Sequence, residues 1–171
     1  MRLRTHAFGV GTAKSGTHAL ASMFRIRSAH EPQAEILLRL ILGRHQGHID
    51  AVIFSQFVAQ LFQRLDLELS VSQINGYMIE TLVSLYPEAR FVLTLRDCNT
   101  WVRSFVNHQL TRTLPPESAW HAFRELRFKQ EGHPHRAEDR ALKQRGLYSL
   151  GAYLSYWVQH NADVIKTVPA R

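Results

Sequence analysis

The segment that most limits what this chain can become is HAFGVGTAKSGTHAL, residues 6–20. A short apolar run ends in glycine, a turn-rich stretch follows, and helix-forming residues take over from Thr17. Strand, glycine loop and helix in that order is the setting in which a phosphate-binding loop works. Gly11 and Gly16 admit the backbone angles of a tight cradle and let N–H groups close on an anion. The first helical turn adds unsatisfied N–H groups and the positive end of its dipole. Lys14 supplies a point charge, Ser15 and Thr17 supply hydroxyl donors, and Thr12, Ala13 and His18 complete the candidate loop. An ATPase loop has Lys and Ser/Thr directly after its second glycine; here Thr17 and His18 follow Gly16, and Lys14 precedes it. Taken alone, the segment also fits a plain strand-to-helix turn with a solvated lysine.

The rest of the chain reads as strands alternating with helical segments. Residues 27–30 form a second short strand stopped by Pro32, and residues 35–42 carry apolar side chains at helical spacing. Residues 50–65 (DAVIFSQFVAQLFQRL) place Ile53, Phe54, Phe57, Val58, Leu61 and Phe62 on one helical stripe. Residues 67–71 are strand-like, and residues 74–86 read as a helix closed by Pro87. The clearest strand is FVLTL, residues 91–95, followed by a helix over 99–110. Pro115-Pro116 breaks the chain before a helix over 117–128, residues 130–139 form a loop, and a long helix runs over 147–167. This alternation predicts one α/β domain over residues 1–171, three layers deep, with about four mainly parallel strands and helices on both faces.

Composition narrows the partners. Lysine and arginine total 21 against 14 acidic residues, a surplus that favours anionic ligands. The basic residues are spread out rather than run together, which argues against nucleic acid or an acidic membrane as partner. No apolar run approaches the roughly 20 residues a membrane span needs, and the N-terminus lacks a secretory apolar region, so a cytoplasmic location is expected. One cysteine, Cys98, excludes an internal disulfide and reads as a small buried or cap-adjacent residue. Ten histidines are scattered without Cys or carboxylate partners at ligand spacing, even at His133 and His135, so no metal is expected.

The displaced Lys-Ser-Gly-Thr of the loop resembles the 5′-phosphosulfate-binding loop of the sulfotransferase family, whose fold is of the P-loop NTPase type. FVLTLRDCNTWVRSF resembles that family's second signature: a strand, Arg-Asp, then a serine eight residues after the arginine. A guanidinium fork at a strand end suits bidentate phosphate binding. The resemblance makes Arg96 and Ser104 ligands of the 3′-phosphate of PAPS (3′-phosphoadenosine-5′-phosphosulfate), with Gly11 to His18 around its other end. PEARFVLTLRD and YLSYWVQHNADVIKTVPAR extend the likeness over most of the chain; Cys98 departs from it, where many members have proline. Trp101 and Phe105 have helical spacing and read as core.

The implied activity moves a sulfuryl group to a hydroxyl or amine of a small-molecule or glycan acceptor, with Lys14 stabilising the leaving phosphate. Glu31 is the favoured general base and His30 the second candidate. Glu31 equally suits the start of the helix after Pro32, where a carboxylate meets the dipole. His108 is a base by residue type, placed late on its helix, where a surface or core role is expected. Family members continue beyond the helix ending near Pro169, so the resemblance also implies a chain shortened at its C-terminus. That leaves room for an inactive member serving as a nucleotide-binding or interaction module. A P-loop kinase or NTPase, with Asp97 toward Mg²⁺, is the enzymatic rival.

Overall fold

The computed structural model describes residues 5–129 and 132–169. Four short strands form one all-parallel sheet in the order β2-β3-β1-β4: β1 Ala7–Gly9, β2 Ser28–His30, β3 Leu69–Val71 and β4 Arg90–Val92. Ala7 pairs with Leu69 on one side and Arg90 on the other, so β1 and β3 are central. The chain leaves β1 toward β2 and leaves β3 toward β4. Neighbouring central strands thus send their connections in opposite directions, and such a switch opens a crevice at their C-terminal ends.

Alternation along β1 divides the layers. Phe8 is fully buried on one face, against Phe62, Tyr86 and Phe91 at 5.3, 5.1 and 5.5 Å between ring centroids. That face carries the main core, built from α2 (Ala34–His45), α3 (Ala51–Leu65), α4 (Ile79–Leu85), α6 (Ala119–Phe128) and α8 (Leu150–Thr167). The opposite face is thin: Ala7, Leu69 and Val71 pack against Leu20 and Ala21 of α1 (Thr17–Met23). A second aromatic cluster joins α5 (Cys98–Thr111) to α6 and α8 through Trp101, Phe105, Phe128, Tyr153 and Tyr156. Trp101 and Phe105 are core, as their spacing predicts.

Local chemistry sets the helix starts. Asp50, Asp97, Ser118 and Ser149 each accept the N–H of the residue three further on, at 2.8, 3.0, 3.1 and 3.2 Å, the N-cap bond that satisfies an otherwise orphaned donor. Four sequence expectations change. Residues 91–95 give only the end of β4, an edge strand: after Val10 N–H bonds Val92 O at 3.0 Å, the chain leaves the ladder and carries Thr94 and Arg96 toward the glycine loop. The helix expected over 74–86 is a 3₁₀ turn, Gln73–Met78, followed by α4. Asn75 causes the break, since its amide donates to Gly9 O at 3.0 Å and Ser70 O at 3.1 Å and pins the turn to the sheet. On α3, Ile53 and Phe57 are exposed, so only Phe54, Val58 and Phe62 of the stripe are fully buried. Within the expected loop 130–139, residues 130 and 131 lie outside the described residues, and Ala137–Asp139 makes a 3₁₀ turn leading into a short helix, α7 (Arg140–Gln144), that the sequence pattern did not reveal.

Candidate functional site

The glycine loop closes over the end of β1, at the crevice. Lys14 sits at φ +69° and Gly16 at φ +103°, so the backbone reverses hand within three residues. Such alternation turns successive N–H groups inward around a concavity. Among the described residues, the N–H groups of Ala13, Lys14, Gly16 and Thr17 have no backbone acceptor. Gly16 is the N-cap of α1 and has no side chain to block that concavity. A Cβ on Gly11 would collide with Thr94 Oγ1 and stand 2.7 Å from Ser15 Oγ, so only glycine fits there.

The loop is held from beneath by side chains the sequence pattern did not point to. Trp101 Nε1 donates to Ala13 O at 2.8 Å. His160 Nε2 donates to Val10 O at 2.7 Å, which fixes the tautomer because a carbonyl only accepts. Burial holds the His160 imidazole below its ordinary value, against the bond to Val10. Thr94 Oγ1 lies 2.8 Å from Ser15 Oγ, which donates to Thr12 O at 2.6 Å. The signal for His160 was available: a polar residue on the stripe Ala152, Tyr153, Tyr156, Val164 of α8. For Thr94 the only signal was its place just after a strand.

Ser15 and Thr17 both have protein partners. Thr17 Oγ1 sits 3.2 Å from His30 Nε2. The donors the loop presents to an anion are therefore its backbone N–H groups and the exposed Lys14. His18, exposed on the first turn of α1, has its ring 5.1 Å from that of His30. Partial burial holds His30 below its ordinary value, with Glu31 opposing and His18 assisting.

The structure brings Arg96 of the second signature to this same loop. Arg96 donates from NH1 to Lys14 O at 3.1 Å and from Nε to Thr100 Oγ1 at 3.3 Å, with its guanidinium exposed. Ser104 is half-buried on α5, on the helical face shared with Trp101 and His108. Asp97 caps α5 rather than facing the loop, which leaves it poorly placed for the Mg²⁺ role of a kinase. Cys98 begins α5, and burial with the neighbouring Asp97 pushes its thiol up, away from a reactive thiolate.

Glu31 does not serve the start of α2. Its carboxylate accepts from Gln73 Nε2 at 2.7 Å, and its backbone stands at φ +50°. A non-glycine residue there costs roughly 1–3 kcal/mol, a strain that persists where the surroundings over-determine it. His108 is closer to the site than its place in the sequence implied. Burial and then Lys14 and Arg112 hold it below its ordinary value, with Glu31 opposing.

A cavity of about 700 Å³ lies elsewhere, among α2, the 3₁₀ turn, α4, α6 and α8. None of the loop residues, Glu31, Arg96 or Ser104 lines it, although His160 and Arg127 form part of its wall. That cavity is thus separate from the crevice at the glycine loop. Among the described residues, no three His, Cys, Asp or Glu side chains gather as a metal-binding group, and no helix is long and apolar enough to cross a membrane.

A parallel sheet with a glycine loop closing on its first strand, at the switch point, defines the class: an α/β domain of the P-loop NTPase type. Within that class the family model described as a sulfotransferase domain matches residues 5–171, and the chain belongs to that family. No curated protein matches it.

Proposed function

We propose that this protein transfers a sulfuryl group from PAPS to a hydroxyl or amine of a small-molecule or glycan acceptor. The observation that carries the reading is the meeting of the two signatures, with Arg96 bonded to the carbonyl of Lys14. That contact puts a guanidinium, an ammonium and a ring of inward N–H groups around one crevice. Two sets of anion-binding groups, the loop and Arg96, suit a donor that carries phosphate at more than one position. The backbone N–H groups of residues 13–17 and Lys14 would hold the 5′-phosphosulfate, and Arg96 with Ser104 the 3′-phosphate. Glycine at 11 lets the loop seat against Thr94, and the N–H groups of residues 13, 14, 16 and 17, which have no backbone acceptor among the described residues, suit such an anionic group.

When bound, PAPS supplies an SO₃ unit joined through oxygen to its 5′-phosphate, and transfer leaves negative charge on that oxygen. Lys14 stabilises the charge as it develops, which lowers the barrier more than it tightens binding. Glu31 takes the proton of the acceptor hydroxyl or amine as the new bond to sulfur forms. His30, held below its ordinary value, is neutral near pH 7 and is the alternative base. The carboxylate of Glu31 is held by a dedicated donor, whereas His30 already shares its Nε2 with Thr17. That difference favours Glu31.

The test is calorimetric titration with the desulfated product, adenosine 3′,5′-bisphosphate, beside an assay of sulfate transfer to a panel of acceptors. Wild type should bind, and Lys14→Ala and Arg96→Ala should bind more weakly. Absence of binding by wild type would sink the donor site. Binding without transfer to any acceptor would make the protein a nucleotide-binding module instead.

A further inference from the structure

We propose that Gln73 and Arg127 are positioning residues for Glu31, forming a relay from the aromatic core to the general base. Gln73 opens the 3₁₀ turn after β3, and Arg127 lies in the last turn of α6. Each is only 5% exposed. Arg127 NH1 donates to Gln73 Oε1 at 2.7 Å, and Gln73 Nε2 donates to Glu31 Oε1 at 2.7 Å. A guanidinium has donors only and a carboxylate accepts only. The amide of Gln73 therefore has one workable orientation, oxygen toward Arg127 and nitrogen toward Glu31.

The cation is itself fixed. Its guanidinium carbon stands 4.5 Å from the centre of the Phe123 ring and 5.0 Å from that of Phe128. Charge over ring faces in a desolvated setting is attracted by the ring quadrupole. Arg127 polarises the amide it bonds, and chained hydrogen bonds strengthen one another in a low-dielectric interior. The consequence reaches Glu31, whose N–H also bonds Val71 O at 2.8 Å. Its backbone is thus anchored to the end of β3 and its carboxylate to the 3₁₀ turn, so structure rather than solvent directs the carboxylate. Catalytic groups held this way lose little activity to misorientation.

This inference rests on Glu31 being the base, and the experiment separates the two. Transfer kinetics would be measured for Glu31→Gln, Gln73→Leu, the double variant and Gln73→Glu, with bisphosphate titration as a check on donor binding. Glu31→Gln should lower kcat about 10²–10⁴-fold. Gln73→Leu should lower it about 10-fold or more while donor affinity stays at the wild-type level. In the double variant Gln73→Leu should add nothing, because its effect passes through the lost carboxylate. Gln73→Glu keeps a partner for Arg127 but sets a like charge beside Glu31, so the acid limb of the kcat profile should move to higher pH. A Gln73→Leu loss repeated in full on the Glu31→Gln background, or an unmoved acid limb in Gln73→Glu, overturns the relay alone. Wild-type kcat in Glu31→Gln, or a wild-type protein without transfer activity, overturns the base and the relay together. Should Gln73→Leu fail to fold, the isosteric Gln73→Glu decides the matter.

Discussion

The two ends of the candidate donor site are built on different terms. The glycine loop rests on partners from three separate elements, half-buried Thr94 after β4 and buried Trp101 on α5 and His160 on α8. Arg96 stands exposed where an edge strand ends, tied to one loop carbonyl and one threonine hydroxyl. The first end is rigid before any ligand arrives. The second is a rim whose guanidinium can trade its bond to Lys14 O for a phosphate. Under the proposed reading, rigidity falls where charge would develop during transfer, and fixed donors there need no reorganisation as the reaction proceeds. Under the same reading, adaptability falls where only binding would be needed.

Four measurements would break or sharpen that contrast. Lys14→Ala should show the largest effect, a fall in kcat of about 10²–10³-fold, the magnitude of losing one transition-state donor; a pure rise in KM would deny it that role. Gly11→Ala should come next, since its Cβ must displace Thr94. Unfolding should register a loss of about 1–3 kcal/mol, and bisphosphate affinity should fall at least 10-fold. Retained affinity would show that the rigid end is not rigid.

Arg96→Ala comes third. Loss of a charge-assisted bond, about 1.5–3 kcal/mol, weakens bisphosphate about 10- to 100-fold, and the melting temperature should not move because the side chain is exposed. A drop in Tm would make Arg96 part of the scaffold and erase the contrast. The smallest effect concerns His160. Its folded-state value lies below the ordinary 6.5, so between those two values the unfolded chain binds the extra proton. Stability is therefore full above about pH 6.5 and falls as pH drops through that window. His160→Gln keeps a donor for Val10 O and should flatten the slope by up to about 1.4 kcal/mol per pH unit. His30 and His108 are lowered too, so some slope should remain. A slope unchanged in His160→Gln would mean that His160 is not a titrating prop of the loop.

Much of this architecture was legible from local pattern. The alternation of short apolar runs with helical stripes gave four parallel strands and most of the helices, because side-chain period and N-cap residues act over a few positions. It overstated β4, since FVLTL is apolar enough for a central strand and nothing in those five residues says that only one side is paired. It missed the break at Asn75, whose cause is a pair of carbonyls on β1 and β3. The candidate residues of the loop, Arg96, Ser104 and Glu31 could be proposed from the sequence because each sits at a strand end or an adjoining helix, where spacing maps onto space.

What the sequence alone determined is the glycine loop after the first strand and the arginine after the fourth, together with the family these mark. Both are short-range patterns, fixed by backbone conformation and by residues within about eight positions of one another. What only the tertiary structure decided is how each is held. His160 reaches Val10 across 150 residues, Trp101 reaches Ala13 across 88, and Gln73 reaches Glu31 across 42. Those separations carry no local signature, because the pairing exists only once packing has brought helix, turn and loop into one layer. Lys14 could be read from its motif. The supports that keep its loop still could not.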